Sequence, residues 1–122
     1  MTVTIYGIKN CDTMQKAFKW LDGSGVAYDF HDYKKAGVTT ARLKKWCGAA
    51  GWQVVLNRAG TTFKKLADAD KAGLTQDKAI ALMVAQPSMI KRPVLEVDGL
   101  DTDGKLEIGF KPERYAALFG GR

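Results

Sequence analysis

Cys11 is the residue whose type and position most favour chemistry. It lies between a short β-branched segment that ends near Gly7 and a helical pattern that begins at about Asn10 to Thr13. A thiol at the start of a helix faces backbone amides without partners and the positive end of the helix dipole, and both favour the thiolate. Lys9 adds a nearby cation. We therefore predict a nucleophilic cysteine. The alternative is a small buried hydrophobic residue, the usual environment of a free cysteine.

The second cysteine, Cys47, shows the opposite pattern. It follows Trp46 and lies four residues after Leu43 on one face of a predicted helix, which indicates a core residue. A role as resolving partner for Cys11 is the alternative, and the geometry between the two thiols decides it. No metal site is predicted, because the two cysteines and the lone His31 lack the short paired spacings of a zinc site.

The elements around Cys11 form a β-α-β pattern. Thr2 to Gly7 is predicted as a strand, and a helix follows that starts at Asn10 or Asp12 and stops at Gly23 to Gly25. Apolar and polar residues then alternate from Val26 to His31, which predicts a second strand. A unit of this length makes a right-handed parallel crossover.

The rest of the chain completes one domain, predicted over residues 1–122. Residues from about 38 to 88 are predicted as helical, with one helix from Thr39 or Thr40 to Ala50 and another that starts at Thr75 and has Ile80, Met83 and Val84 on one face. The last third is predicted as a strand, a loop, an antiparallel strand and a helix: Val94–Val97, Asp98–Gly99 to Asp103–Gly104, Leu106–Ile108, and Pro112 to Gly120. This order predicts an α/β thioredoxin-like fold, a mixed four-stranded sheet with a helical insertion.

Length and composition limit the class of protein. A chain of 122 residues buries enough surface to fold without disulfides or a metal. The first residues show no signal-peptide pattern, and no apolar run is long enough to span a membrane, so we expect a cytoplasmic protein without a membrane partner. Nucleotide-binding glycine loops and serine-nucleophile motifs are absent from the sequence.

Positive charge is concentrated in one window. The net charge is +6, and residues 33–67 contain eight Lys and Arg but neither Asp nor Glu. The excess is either a solvated surface or a site for something anionic. Four aromatic residues are interleaved with these cations, which raises the alternative of direct nucleic-acid binding, although they fit helix cores equally well: Tyr33, Trp46, Trp52 and Phe63.

Arg58 and Arg92 are the next candidate site residues. Arg58 lies in the polar turn Asn57–Thr62, where its planar guanidinium is suited to an oxyanion. Arg92 immediately precedes Pro93 and a predicted strand, the place where thioredoxin-type domains put a cis-proline beside the reactive cysteine. Each arginine taken alone is equally typical of a surface.

Four segments, in the same order, resemble the arsenate reductase (ArsC) and Spx family, and in particular its bacterial YffB-like branch: Ile5–Met14, Asn57–Thr62, Met89–Val94 and Gly109–Glu113. The resemblance covers nearly the whole chain. It implies a thioredoxin-like fold with a helical insertion. It also implies that Cys11 attacks the substrate and that Arg58 and Arg92 hold the anion, with Asn10 orienting the bound group.

Two positions depart from the family pattern. Lys111 stands where the arsenate reductases have a third arginine, so the charge is kept but the bidentate fork is lost. Met14 stands where Spx regulators and dithiol oxidoreductases have a second cysteine, so an internal CxxC disulfide is impossible. An adduct on Cys11 must therefore be resolved by an external thiol.

The resemblance leads to two hypotheses. The first is a glutathione-dependent enzyme that reduces a disulfide or a small oxyanion such as arsenate, with glutathione as co-substrate, no bound cofactor, and glutathione or glutaredoxin as the resolving thiol. The alternative is an Spx-like regulator that binds RNA polymerase, in which the chemistry of Cys11 is incidental.

Overall fold

A computed structural model describes residues 2–98 and 105–119. The loop predicted after Asp98 and the stop predicted at Gly120 lie outside these residues. Contacts divide the chain into two compact units, Met1–Lys35 with Arg92–Arg122, and Ala36–Lys91. The segment predicted as a helical insertion falls within the second unit, while the assignment of a single domain stays a prediction.

The first unit contains a mixed four-stranded sheet in the order β2-β1-β3-β4. β1 pairs in parallel with β2 and antiparallel with β3, and β3 pairs antiparallel with β4. The strands are β1 (Thr2–Gly7), β2 (Asp29–Asp32), β3 (Val94–Asp98) and β4 (Lys105–Ile108). This is the thioredoxin-like arrangement, so the predicted fold class is confirmed.

Two helices bury their apolar faces in one core with the sheet. They are α1 (Asp12–Gly23) and α8 (Pro112–Leu118). The core combines buried residues of β1, α1, β3 and the C-terminal helix region, together with Val26: Val3, Ile5, Met14, Ala17, Leu21, Val26, Leu95, Val97, Tyr115 and Phe119. β1 ends at Gly7, which lies directly beside Met14. A Cβ at position 7 would overlap the methionine sulfur.

The second strand is shorter than predicted. It begins at Asp29 instead of Val26, and it ends at Asp32. Gly25 has a φ of 70°, and the Val26 amide donates to the Leu21 carbonyl at 3.0 Å. The backbone of Val26 therefore closes the end of α1 and is not available for strand pairing.

The second unit is built from helices. Its helices are α3 (Thr40–Ala50), α4 (Trp52–Val55), α5 (Thr61–Lys64), α6 (Asp68–Lys71) and α7 (Gln76–Ala85), while the short helix α2 (Tyr33–Ala36) follows β2 and lies mostly in the first unit. The hydroxyl of Thr39 accepts the Arg42 amide at 3.2 Å, and that of Thr75 accepts the Lys78 amide at 3.3 Å. The two predicted helix starts are confirmed as caps.

The predicted apolar face of α7 is only partly buried. α7 buries Ala79, Ile80 and Met83, whereas Val84 is 38% exposed. Successive residues are about 100° apart around a helix, so Val84 lies just past the arc that these three residues define. In the described ranges, no helix combines the length and apolar character needed to cross a membrane.

Candidate functional site

Cys11 forms the start of α1. It is the N-cap residue, with extended backbone angles of φ −136° and ψ 130°, and its carbonyl accepts the Gln15 amide at 3.0 Å. Its side chain is half-buried. The backbone amides of Thr13 and Met14, in the first turn of the helix, lower the pKa of the thiol, although the Cys11 side chain makes no capping hydrogen bond. The predicted placement of the thiol at the positive end of a helix is confirmed.

The environment of Cys11 favours the thiolate. Burial raises the pKa, but the Met14 amide, the Arg92 side chain and the Thr13 amide together outweigh burial, and the positive charge of Arg92 adds to their effect. The pKa of Cys11 is therefore below the ordinary thiol value of 9.0. A partly exposed thiol with a lowered pKa is suited to nucleophilic attack.

Arg92 is brought to Cys11 from the start of β3. Its half-buried guanidinium donates a hydrogen bond to the Cys11 sulfur. The peptide bond between Arg92 and Pro93 is cis, and the Pro93 carbonyl accepts the Gly109 amide at 2.8 Å. The cis peptide bond before Pro93 is as predicted, and Arg92 contacts Cys11, while the role of Arg92 in binding an anion stays a prediction.

Tyr33 belongs to this site and was missed by the sequence interpretation. It is fully buried, and its hydroxyl accepts a hydrogen bond from the Arg92 guanidinium. Burial raises the pKa of Tyr33, and the charges of Cys11 and Asp32 raise it further, against the opposing effect of Arg92. The hydroxyl thus stays protonated while it holds Arg92.

A topological signal for Tyr33 was present in the sequence. β1 and β2 are parallel, with Gly7 paired to Asp32, so both strands end at the same edge of the sheet. Tyr33 follows β2 directly, and Cys11 lies in the connection that follows β1. Residues after the carboxyl ends of neighbouring parallel strands come close together.

Asn10 and Lys111 are exposed residues of the first unit. Asn10 precedes the cap of α1. Lys111 caps α8, where its carbonyl accepts the amides of Arg114 and Tyr115 at 3.0 and 3.1 Å. Each therefore occupies a helix start, where backbone amides favour anions. Their roles in binding a substrate anion stay predictions.

Arg58 lies in the second unit. Its exposed guanidinium is 5.8 Å from the centroid of the Trp52 ring, a cation–π arrangement. The turn that carries it is fixed by the Asn57 amide, which donates to the Met89 carbonyl at 2.8 Å. The same turn leaves no space for a side chain at Gly60, where a Cβ would come within 2.9 Å of the Asn57 amide nitrogen. The predicted contact of Arg58 with an anion stays a prediction.

Cys47 is a free thiol that is 3% exposed in the second unit. Burial raises its pKa. It is therefore a core cysteine, as its spacing predicts, and it is held in the unreactive thiol form. Within residues 2–98 and 105–119, no three His, Cys, Asp or Glu side chains form a group that could hold a metal ion.

The aromatic residues of the basic window do not form a base-stacking surface. Tyr33 and Trp46 are fully buried and Phe63 is 8% exposed. Trp52 is half-buried and carries Arg58 on its face. Stacking on nucleic-acid bases requires exposed rings, so the geometry disfavours this alternative.

The sequence and fold match known proteins over nearly the full length. The model of the ArsC family matches residues 6–118. Among solved structures, a protein described as YFFB is 60% identical, the match covers 95% of this chain and 97% of that one, and the TM-score is 0.89. An arsenate reductase (ArsC) related protein from Brucella melitensis is 53% identical, with 98% and 95% coverage and a TM-score of 0.74.

A regulator is also similar. The global transcriptional regulator Spx of Streptococcus mutans is 25% identical over 118 residues, which are 95% of this chain and 82% of that protein. The match of the family model spans both the Cys11 segment and the Arg92 segment. The chain belongs to the ArsC family.

Proposed function

We propose that the protein is a glutathione-dependent thiol reductase of the ArsC type that acts through the single nucleophilic cysteine Cys11. The observation that carries the proposal is the hydrogen bond from Arg92 to the Cys11 sulfur at the start of α1. The thiolate that this contact stabilises is the attacking species in thiol–disulfide exchange. Membership of the ArsC family and likeness to an arsenate reductase-related protein support an oxidoreductase.

In the proposed cycle, the Cys11 thiolate attacks the glutathione sulfur of a mixed disulfide. The substrate S–S bond breaks, a new S–S bond joins Cys11 to glutathione, and the other substrate sulfur leaves as a thiolate that takes a proton from water. A second thiol, from glutathione or glutaredoxin, then attacks the adduct. This attack releases the Cys11 thiolate and joins the attacking thiol to the glutathione sulfur in a new disulfide. Two electrons thus pass from external thiols to the substrate.

The need for an external thiol follows from Met14. This residue occupies the third position after Cys11, and its side chain is fully buried in the core of the first unit. Its sulfur is a thioether and not a thiol, so it cannot resolve an adduct on Cys11. Both cysteines are free thiols, which fits a reducing compartment, and we place the reaction in the cytoplasm.

A small oxyanion is the other substrate class within this proposal. The Cys11 thiolate would attack its central atom, with arsenic as the example, an As–S bond would form and a protonated oxygen would leave as water. An external thiol would then attack the Cys11 sulfur, and the As–S bond would break with its electron pair on arsenic, which is thereby reduced by two electrons; a second external thiol would free Cys11 from the resulting disulfide. Arg58, Arg92 and Lys111 would neutralise the anion. Since Lys111 lacks the bidentate fork of arginine, we favour the disulfide over arsenate as substrate.

Mass spectrometry after incubation with oxidised glutathione tests the proposal. We expect one glutathionyl group on the wild type and on Cys47→Ser, none on Cys11→Ser, and removal of the adduct by added reduced glutathione. Cys47→Ser is the matched control because it removes the buried thiol. A wild type that forms no adduct, or an adduct that persists in Cys11→Ser, would contradict the mechanism.

Spx supports a second candidate, a regulator that binds RNA polymerase. Co-purification with polymerase subunits tests it. Retention of the subunits by Cys11→Ser, together with their loss on charge reversal of a surface patch, is the expected result. Failure of the wild type to retain any polymerase subunit would reject this candidate.

A further inference from the structure

A cleft of about 550 Å³ lies within the first unit between α1 and β2. Three aromatic residues form its walls, Phe18 from α1 and Tyr28 and Phe30 from the segment that includes β2. The Phe18 and Tyr28 rings are stacked with centroids 5.7 Å apart, and Phe18 meets Phe30 edge to face at 5.1 Å. Phe30 is 37% exposed although it is a large apolar residue. A cleft of this size with aromatic walls is typical of ligand sites.

The cleft runs along the helix that Cys11 caps. Gln15, Phe18 and Asp22 line it, and they follow Cys11 by four, seven and eleven residues, the spacing of one helix face. At 1.5 Å per residue, Phe18 lies about 10 Å along α1 from Cys11 and Asp22 about 16 Å. An extended peptide advances about 3.4 Å per residue, so these distances correspond to about three and five residues.

The two ends of the cleft carry opposite charge. Lys9 lies near the cysteine end, and Asp32 and Lys35 lie at the end of β2 at the same edge of the sheet, so this end carries two lysines against one carboxylate, which accepts the Lys34 amide. Asp22 lies at the far end, where its carboxylate accepts a hydrogen bond from the Tyr28 hydroxyl. A chain that fits this arrangement has an acidic group close to its cysteine and a basic group farther away.

The length of the cleft distinguishes between ligand classes. Glutathione has three residues, spans about 10 Å when extended, and has no apolar side chain. It is too short to reach from Cys11 to Asp22 and leaves the three aromatic walls without a partner. A longer peptide that carries an aromatic side chain fills the cleft and meets both charged ends.

We propose that this cleft binds the polypeptide that flanks the disulfide of a peptide or protein substrate, with an aromatic residue three positions from the cysteine seated against Phe18 and Phe30, and a basic residue beyond it at Asp22. The inference rests on the proposed reductase function. It assigns the substrate class to polypeptides and gives a side-chain preference.

Activated hexapeptides test the preference. Each peptide carries one cysteine as a mixed disulfide with thionitrobenzoate, a phenylalanine or an alanine three positions away, a lysine two positions farther, and glycine elsewhere, in both chain directions. The Cys11 thiolate attacks the peptide sulfur, an S–S bond forms between them, and the coloured thionitrobenzoate leaves as the thiolate. Its release is followed in a stopped-flow spectrometer, and mass spectrometry identifies the peptide on Cys11.

We expect the phenylalanine peptide, in the direction that reacts faster, to exceed its alanine counterpart about tenfold in second-order rate constant. In Phe30→Ser this ratio should fall below about twofold. Val84→Ser is the matched control, because Val84 is 38% exposed and lies in the other unit. It should keep the wild-type ratio.

Two further measurements separate the outcomes. Reaction with oxidised glutathione should be equal in the wild type and Phe30→Ser, which shows that Cys11 is intact. No reaction of Cys11 with any disulfide rejects the proposed function, whereas equal rates for the phenylalanine and alanine peptides reject the cleft alone. Light scattering of both proteins runs alongside, and a dimer that dissociates in Phe30→Ser would assign the cleft to a second copy of the chain and overturn the proposal.

Discussion

The guanidinium of Arg92 donates a hydrogen bond to the sulfur of Cys11 across 81 positions of sequence. The same guanidinium also donates to the hydroxyl of Tyr33. The pKa of the thiol is thus lowered by two backbone amides of its own helix and by a cation that also bonds a buried phenol. Its acidity depends on three segments of the chain.

Arg92→Met removes the cation and its hydrogen bond, so the pKa of Cys11 should rise. A charge-assisted hydrogen bond contributes about 1.5–3 kcal/mol, which corresponds to about 10- to 100-fold in rate at neutral pH. Iodoacetamide labelling across pH measures this. At alkaline pH the variant should react at least as fast as the wild type, because nucleophilicity increases with thiol pKa.

Arg114→Met is the control for that change. Arg114 is an exposed residue of the same unit, and it pairs with Glu107 at 2.8 Å. Its loss should leave the labelling profile of Cys11 unchanged. If Arg92→Met also keeps the wild-type profile, the contact does not set the reactivity of the thiol.

Tyr33→Phe keeps the buried ring and removes only the hydroxyl that holds Arg92. Without the hydrogen bond that holds Arg92 in place, we expect the activation free energy of glutathionylation to rise by about 1 kcal/mol. This corresponds to about a fivefold lower rate at neutral pH. The pH profile of alkylation should move upward in the same variant. A purely structural role for Tyr33 would lower the free energy of unfolding and leave that profile in place.

Tyr115→Phe makes the same chemical change at a second fully buried tyrosine. The Tyr115 hydroxyl has no hydrogen-bond partner among the residues that the structure describes, and burial raises its pKa. Removing an unpaired buried hydroxyl should leave stability equal or increase it by up to about 1 kcal/mol. Urea unfolding measures this, and a loss above about 1 kcal/mol would mean that the hydroxyl has a partner in solution.

The stability of the fold should depend on pH through Cys11. Its pKa is lowered in the folded state, so the unfolded chain binds the proton more tightly. The wild type should therefore gain stability relative to Cys11→Ser as pH rises from the folded pKa toward 9.0, and lose that gain as pH falls. Urea titrations under reducing conditions measure the sign of this pH dependence. Cys47 is present in both proteins, so its contribution cancels in the difference. A constant difference between the two proteins contradicts the lowered pKa.

Local patterns predicted the position of Cys11 at the start of a helix. The strand that ends at Gly7 and the helix that follows are set by neighbouring residues, and so is the place of Cys11 between them. Arg92 was singled out because it precedes Pro93 at the start of a strand, and its assignment to the site rested on the resemblance to the ArsC and Spx family. The place of Cys11 and the choice of Arg92 as a candidate each needed only a few consecutive residues.

Contacts between distant segments explain what was missed. Tyr33 was first grouped with the basic window, and its contact with Arg92 depends on how the ends of β1, β2 and β3 meet. The alternation from Val26 onward suggested a longer strand, but the hydrogen bond from Val26 to Leu21 takes the backbone away from pairing. The aromatic cleft arises from Phe18 and Phe30, which lie on different elements and show no joint pattern in the sequence.

The absence of a side chain at Gly7 links the Cys11 thiol to the packing of the core. Met14 fills the space beside Gly7, and the amide of the same methionine lowers the pKa of the Cys11 thiol. The packing of a fully buried side chain and the ionisation of a partly exposed thiol thus meet in one residue. A methyl group added at Gly7 would meet the flexible end of the Met14 side chain, so its effect on the acidity of Cys11 depends on how far that displacement reaches the Met14 amide.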